Sequence, residues 1–309
     1  MKTALLFPPL MKLKKNSFIE FFEEFQAVRD KFEEASAILK LDLAANFFSD
    51  DEELINKGII ARTSIVTICS AIYDLIKDKY QDSSYFLGPS LGLINAVHCS
   101  GGMSFSDSLN MVKAMCEIES QNPENKKYGV YFFYNIDTKI LLECIDEYKK
   151  KGYILEPCMY ASPNQMIVNG DFKSLELLST KIAKYGGLGV IIPYSPHSHC
   201  NLLTDVQKKF KESFMTSFKP LTPYKPIISN VFAREISTPE EIKEDLILQY
   251  TSPVLWYQSL KYIHNQGVEK LVVLGPGNFI RKSLNFTDIP FYIDNVLSTE
   301  DVRGKLTLV

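Results

Sequence analysis

Apolar residues recur along this 309-residue chain in two rhythms, short unbroken runs and three-to-four-residue spacing, which mark buried strands and amphipathic helices respectively. Thr3 to Phe7 is a strand candidate ended by Pro8-Pro9. From Phe18 to Leu39 the positions Phe21, Phe22, Phe25, Val28, Phe32 and Ala35 predict an amphipathic helix or a broken pair, and a second helix is expected from Ile59 to Lys77. Tyr85 to Gly88 reads as a buried strand and Leu91 to Cys99 as the helix after it.

Between Lys127 and Tyr194 the order changes. Strands at Tyr128–Tyr134, Tyr153–Tyr160, Gln165–Val168 and Leu188–Pro193, with helices at Ile136–Lys151 and Leu175–Lys184, give a βαββαβ unit of the ferredoxin-like type. The remainder returns to mixed elements: a strand at Ile227–Val231, helices from Thr238 to Gln249 and Val254 to Gln266, and the apolar run Lys270–Leu274. Long apolar runs joined through helices predict a mostly parallel sheet and an α/β fold. The expected organisation is a large α/β subdomain formed by residues 1–126 and 195–309, with a small ferredoxin-like subdomain, 127–194, inserted into it.

Composition narrows the function. A hydrophobic fraction of 46% with 23% charged residues is that of a soluble globular chain, and a net charge of -3 with dispersed cations offers no field for nucleic acid. The N-terminal apolar run is too short for a signal peptide, and no unbroken apolar run reaches the roughly 20 residues of a membrane span. A cytoplasmic protein without membrane or nucleic-acid partners is expected. Six cysteines without a CxxC pair indicate reduced, mostly buried thiols and no metal site. The runs Gly186-Gly187-Leu188-Gly189 and Gly275-Pro276-Gly277 lack the residues that complete a phosphate loop and read as turns.

The strongest local motif is Gly88-Pro89-Ser90-Leu91-Gly92, a G-x-S-x-G between a predicted strand and a predicted helix. In that setting the glycines allow a sharp turn that projects the serine hydroxyl at a helix N-terminus, making a nucleophile elbow in an α/β-hydrolase-like subdomain. A serine needs a base, and the chain has four histidines. His98 and His264 fall within helices and are expected to pack. His197 and His199 both follow the strand ending at Pro193, and position alone does not choose between them.

A resemblance extends over some 250 residues. Gly88-Pro89-Ser90-Leu91-Gly92 through Gly101-Gly102-Met103-Ser104-Phe105-Ser106-Asp107-Ser108-Leu109 is similar, without a gap, to the malonyl-CoA:acyl-carrier-protein transacylase pattern G-H-S-L-G, helix, G-x-L-S-F-x-D-A-L. Ser162-Pro163-Asn164-Gln165, Ile228-Ser229-Asn230-Val231, Tyr250-Thr251-Ser252-Pro253-Val254-Leu255-Trp256 and Leu274-Gly275-Pro276-Gly277 resemble further motifs of that family in order. The resemblance implies Ser90 as nucleophile, His197 as base with His199 a surface neighbour, the Ser252 carbonyl as the group orienting the base, and an oxyanion hole from the backbone N–H groups of Leu10 and Leu91. It also implies no permanently bound cofactor. Coenzyme A or phosphopantetheine thioesters would be substrates, with acyl-CoA and acyl carrier protein the partners of a monomer.

Several positions depart from the family pattern. Phe7-Pro8-Pro9-Leu10-Met11 replaces its F-P-G-Q-G, and Met115 stands where malonyl enzymes have the arginine that holds the free carboxylate. A thioether cannot replace a guanidinium, and a carboxylate in an apolar pocket without a cation loses its hydration. Lys113 points to a different helix face. Arg62, where the family has the glutamine of A-Q-P-A, is the alternative cation; otherwise it is expected to contact the carrier's phosphopantetheine or to form an ion pair. Pro89 and Ala161 replace polar residues, and with Gln165 they complete the expected acyl pocket. The reading that follows is an acyltransferase for a non-carboxylated acyl group in polyketide or fatty-acid type biosynthesis. An acyl-thioester hydrolase with the same site and an inactive homologue that docks the carrier are the alternatives.

Overall fold

The computed structural model describes residues 1–122, 127–193, 196–275, 277 and 279–306. The boundary residues 126, 194 and 195 and Pro276 of the Gly-Pro-Gly turn lie outside these. Among the described residues ten strands form two sheets: β1 (Lys2–Leu6), β2 (Tyr85–Leu87), β3 (Tyr128–Tyr134), β4 (Leu155–Ser162), β5 (Gln165–Asp171), β6 (Leu188–Ile191), β7 (Ile227–Ile228), β8 (Glu235–Ile236), β9 (Val268–Leu274) and β10 (Tyr292–Val296). The larger sheet runs β10-β9-β1-β2-β7-β8 and is parallel except for β8. The smaller is antiparallel, β4-β5-β3-β6, which is the ferredoxin-like order.

The large sheet is buried on both faces, which is why β1 and β9 read as unbroken apolar runs. Leu5, Phe7, Phe86 and Val272 face a core built with helices Gln26–Leu39, Gly58–Ile76, Leu91–Cys99 and Phe105–Ser120. Ala4, Leu6, Leu271 and Val273 face a second core, which takes in Val130, Met159 and Ile167 of the small sheet. A third core lies between the small sheet and its helices, Thr138–Lys150 and Phe172–Ala183. The stretch Gly58–Tyr80 is long and apolar enough to cross a membrane, yet 72% of its most apolar 18-residue window is buried inside the protein. It is apolar all round because it is packed all round.

β7 is shorter than the sequence pattern predicts, because the chain leaves the sheet at Ser229 to build part of the site. β10 was not legible. Asp294 interrupts its apolar run, and the strand tolerates that carboxylate because Lys270 (2.7 Å), Tyr80 (3.0 Å) and Lys305 hold it.

Candidate active site

Ser90 lies between β2 and the helix Leu91–Cys99 with φ 57° and ψ −117°, a left-handed conformation that few non-glycine residues adopt. Such a residue carries roughly 1–3 kcal/mol of strain and persists only where its surroundings fix it. Two features fix it here. A Cβ on Gly88 or Gly92 would stand 2.6 or 2.4 Å from the Phe7 carbonyl oxygen, so glycine is required at both flanks for the turn to approach β1. The buried Asn230 then spans the turn: its Oδ1 accepts from the Ser90 N–H at 2.7 Å and its Nδ2 donates to the Gly88 carbonyl at 2.9 Å. Asn230 is held in turn by the fully buried Asp245, which accepts from the Ser229 hydroxyl at 2.5 Å and from the N–H groups of Asn230 and Val231. Burial pushes the Asp245 carboxyl up to about 6, against the lowering effect of these donors.

The imidazole that meets Ser90 is that of His199, not that of His197 as expected. His199 Nε2 is 2.8 Å from Ser90 Oγ, and its Nδ1 is 2.6 Å from the Gln249 carbonyl oxygen. A carbonyl can only accept, so Nδ1 carries the proton and Nε2 presents its lone pair to the serine hydroxyl. Burial lowers the imidazole pKa to about 4, Arg62 adding to the effect and the Gln249 carbonyl opposing it. The ring is therefore neutral and able to accept a proton at neutral pH. His197, two residues earlier, is buried in the cavity wall with its ring edge against Tyr128 of β3, centroids 5.2 Å apart. A turn at His199, φ 55°, carries the second imidazole rather than the first to the elbow.

The orienting carbonyl is likewise Gln249, not Ser252. Helix Pro239–Leu248 ends at Gln249, and the N–H groups of Thr251 and Ser252 both donate to Leu248, which leaves the next carbonyl available to His199. The Cys200 N–H donates to Tyr250 at 3.0 Å and ties the loop of the base to the same helix end. From the other side, Asn169 of β5 grips Ser198: its Oδ1 accepts from the Ser198 N–H at 3.1 Å, and its Nδ2 donates to the Ser198 carbonyl at 2.8 Å. His98 and His264 have packing roles, His98 between Ser70 and the Met103 carbonyl and His264 against Phe291.

Ser90 and His199 open on a cavity of about 160 Å³. Leu10 and Leu91 line it, and Leu91 is the first residue of the elbow helix, where a backbone N–H has no acceptor within the helix. Met115, Val112 and Ile94 supply an apolar wall, and Val130, Met159 and Ile167 of the small sheet supply the opposite one. Arg62 also lines the cavity, with its guanidinium 2.7 Å from the Glu119 carboxylate. Three residues expected in the acyl pocket are not in its lining. Pro89 is buried on the elbow, and Ala161 and Gln165 lie where β4 and β5 meet and line an adjoining groove. That groove shares Ile167, Ile192 and Phe279 with the cavity and is otherwise mainly apolar. All six cysteines are free, and among the described residues no group of His, Cys, Asp and Glu is placed to hold a metal ion.

A serine on a glycine-flanked elbow, joined to a neutral imidazole over a small cavity between an α/β body and a ferredoxin-like insert, defines the acyltransferase class of enzyme. The chain is homologous to the malonyl CoA-acyl carrier protein transacylases. It is 27% identical over 285 residues to that of Bacillus subtilis, covering 90% of this chain and 88% of the relative. No family model matches it. Its fold is shared with a malonyl-transacylase solved in complex with its type II PKS acyl-carrier protein, with TM-score 0.92, 23% identity and 99% of each chain covered. The FabD of Acinetobacter baumannii superposes with TM-score 0.91 at 22% identity, covering 99% of this chain and 97% of that one.

Proposed function

We propose that this protein transfers an acyl group between pantetheine thiols through an acyl-Ser90 intermediate, with His199 as base and then acid, in fatty-acid or polyketide synthesis. The observation that carries the reading is the Ser90–His199–Gln249 chain of contacts, 2.8 and 2.6 Å long, at a strained elbow. Ser90 Oγ attacks the thioester carbonyl while Nε2 takes its proton. The tetrahedral oxygen is met by the N–H groups of Leu91 and Leu10, and as the C–S bond breaks the proton passes from Nε2 to the departing thiolate, which leaves as the thiol. The second half-reaction repeats these steps with the acceptor thiol in place of Ser90. Nδ1–H remains on the Gln249 carbonyl throughout and stabilises the imidazolium, so no acidic residue is needed.

The relatives' names specify malonyl, and their carrier is an acyl carrier protein. We assign this chain the same carrier-linked chemistry with a short, non-carboxylated acyl group. Met115 offers no charge, and Arg62 is already matched by Glu119. A cavity of about 160 Å³ suits an acetyl to butyryl group. The adjoining groove, entered past Phe279, gives the pantetheine arm its approach.

Intact-mass spectrometry tests this. Wild type and Ser90→Ala are incubated with acetyl-, butyryl- and malonyl-CoA, with and without an acyl carrier protein. An acetyl or butyryl adduct on the wild type alone, discharged only when the carrier is added, is the expected result. Discharge in water at the same rate would make the protein a hydrolase. No adduct with any thioester would leave carrier docking without catalysis.

A further inference from the structure

Glu119 sits one helical turn beyond Met115 on the helix Phe105–Ser120, so both side chains reach the same cavity wall. Arg62, from the helix Gly58–Ile76, meets Glu119 there. Both side chains are largely buried, at 14% and 21% exposure. Burial works against the guanidinium's charge, and Glu119 more than restores it, so the Arg62 pKa is raised. The pair lines the catalytic cavity and also a second cavity of about 590 Å³, to which Leu10 and Pro196 are common as well. No Lys or other Arg lines the catalytic cavity among the described residues.

We propose that Glu119 is a specificity-determining residue: by occupying Arg62 it masks a latent carboxylate-binding cation and makes the end wall of the acyl cavity electrically neutral. This deepens the acyl-transfer reading above and rests on it. A malonyl carboxylate entering the cavity meets a guanidinium already paired through Nη1 with Glu119, so a second carboxylate stands beside the cation. Its lost hydration is therefore not repaid. An acetyl or butyryl group brings no charge and leaves the pair undisturbed. Replacing Glu119 by a neutral residue uncovers a buried cation at the point where the acyl tail ends, and a carboxylated acyl group becomes the matched occupant.

The experiment measures initial rates of acyl-Ser90 formation by intact mass, with malonyl- and acetyl-CoA in separate reactions. The proteins are wild type, Glu119→Gln, Glu119→Ala and the double variant Arg62→Ala/Glu119→Ala, each checked for folding by circular dichroism. The quantity read is the malonyl-to-acetyl ratio. Glu119→Gln is expected to raise it at least tenfold, Glu119→Ala to move it in the same direction, and the double variant to return it to near the wild-type value. If folded single variants acylate with a ratio within twofold of wild type, the inference fails while the acyl-transfer reading stands. A rise that persists in the double variant also overturns it, because the cation would not be the cause. Absence of an adduct on the wild type with either thioester removes the acyl-transfer reading itself. If neither single variant folds, Met115→Glu in the wild-type background serves: a second carboxylate should leave the malonyl-to-acetyl ratio low, and a tenfold rise would contradict the electrostatic argument.

Discussion

At the scale of single residues, the assignment of the base makes the sharpest prediction. His199→Ala removes the group that takes the Ser90 proton and should slow acyl-enzyme formation by roughly 10²–10⁴-fold. His197→Ala removes a wall residue packed on Tyr128 and should cost far less. Rapid-quench mass spectrometry of the two variants checks the order, and a reversed order would return the role to His197. The pH profile follows from the same ring. With its pKa held near 4 by burial, His199 stays neutral through the physiological range. Acylation should therefore be flat from pH 8 to 5 and fall as pH drops through about 4, whereas an ordinary imidazole would lose activity below about 6.5. The two buried groups at the site contribute to stability in opposite senses. The lowered His199 pKa makes the folded state bind fewer protons, so its stabilisation is lost as pH falls from about 6.5 towards 4. The raised Asp245 pKa acts in the opposite sense from about 6 down to about 4. The two partly cancel, but Asp74, Asp171 and Asp294, whose carboxyls are held below the usual range by their partners, also lose stabilisation as pH falls, so circular dichroism at each pH must accompany the acid limb of the rate profile.

At the scale of elements, the elbow depends on what clamps it. Asn230→Ala would leave the buried Ser90 N–H and Gly88 carbonyl without their partner and should cost about 2–6 kcal/mol at roughly 1–3 kcal/mol per unsatisfied group. Thermal melting should show a lower midpoint, and acylation should slow because Ser90 is no longer held in its strained conformation. Gly92→Ala should be worse, since its Cβ would lie 2.4 Å from a backbone oxygen that cannot give way without moving β1. A Gly92→Ala protein with wild-type melting would contradict the close packing of elbow and strand. Most of these elements were legible in the sequence, because periodicity and the G-x-S-x-G motif are local signals: the helix Leu91–Cys99 and strand β3 begin and end where the pattern places them. The clamp was not legible. Asn230 lies 140 residues from Ser90, and nothing in a single asparagine's neighbours announces a contact at that separation. The two histidines of the loop differ only by a two-residue register that the left-handed turn at His199 decides. One signal was available: the apolar Leu202-Leu203 just after His199 shows the chain returning to the core, which favours the second histidine over the first.

At the scale of the whole molecule, the site draws on both sheets. Ser90 and Gln249 belong to the large one and its helices, and His199 follows the chain as it returns from the small one. Asn169 on β5 holds the backbone immediately before the base. Asn169→Ala should therefore reduce acylation by slackening His199 while leaving the malonyl-to-acetyl ratio unchanged, because neither Arg62 nor Glu119 touches the insert's contact with Ser198. Competition rates with mixed thioesters measure both quantities at once. Glu119 escaped the sequence reading for a related reason. Met115 was judged by what it lacks, and the carboxylate one turn further along became informative only when the structure placed it against Arg62.

The paired hydrogen bonds between Asn169 and Ser198 also bear on how such proteins can be recombined. A ferredoxin-like insert moved from one relative to another brings its own grip on the recipient's catalytic loop, whereas Arg62, Met115 and Glu119 remain with the recipient. Chimeras cut at the ends of the insert should thus separate two inherited traits: changes in turnover that come from the grip on the loop before His199 would travel with the donor, and preference for charged or uncharged acyl tails would stay with the host.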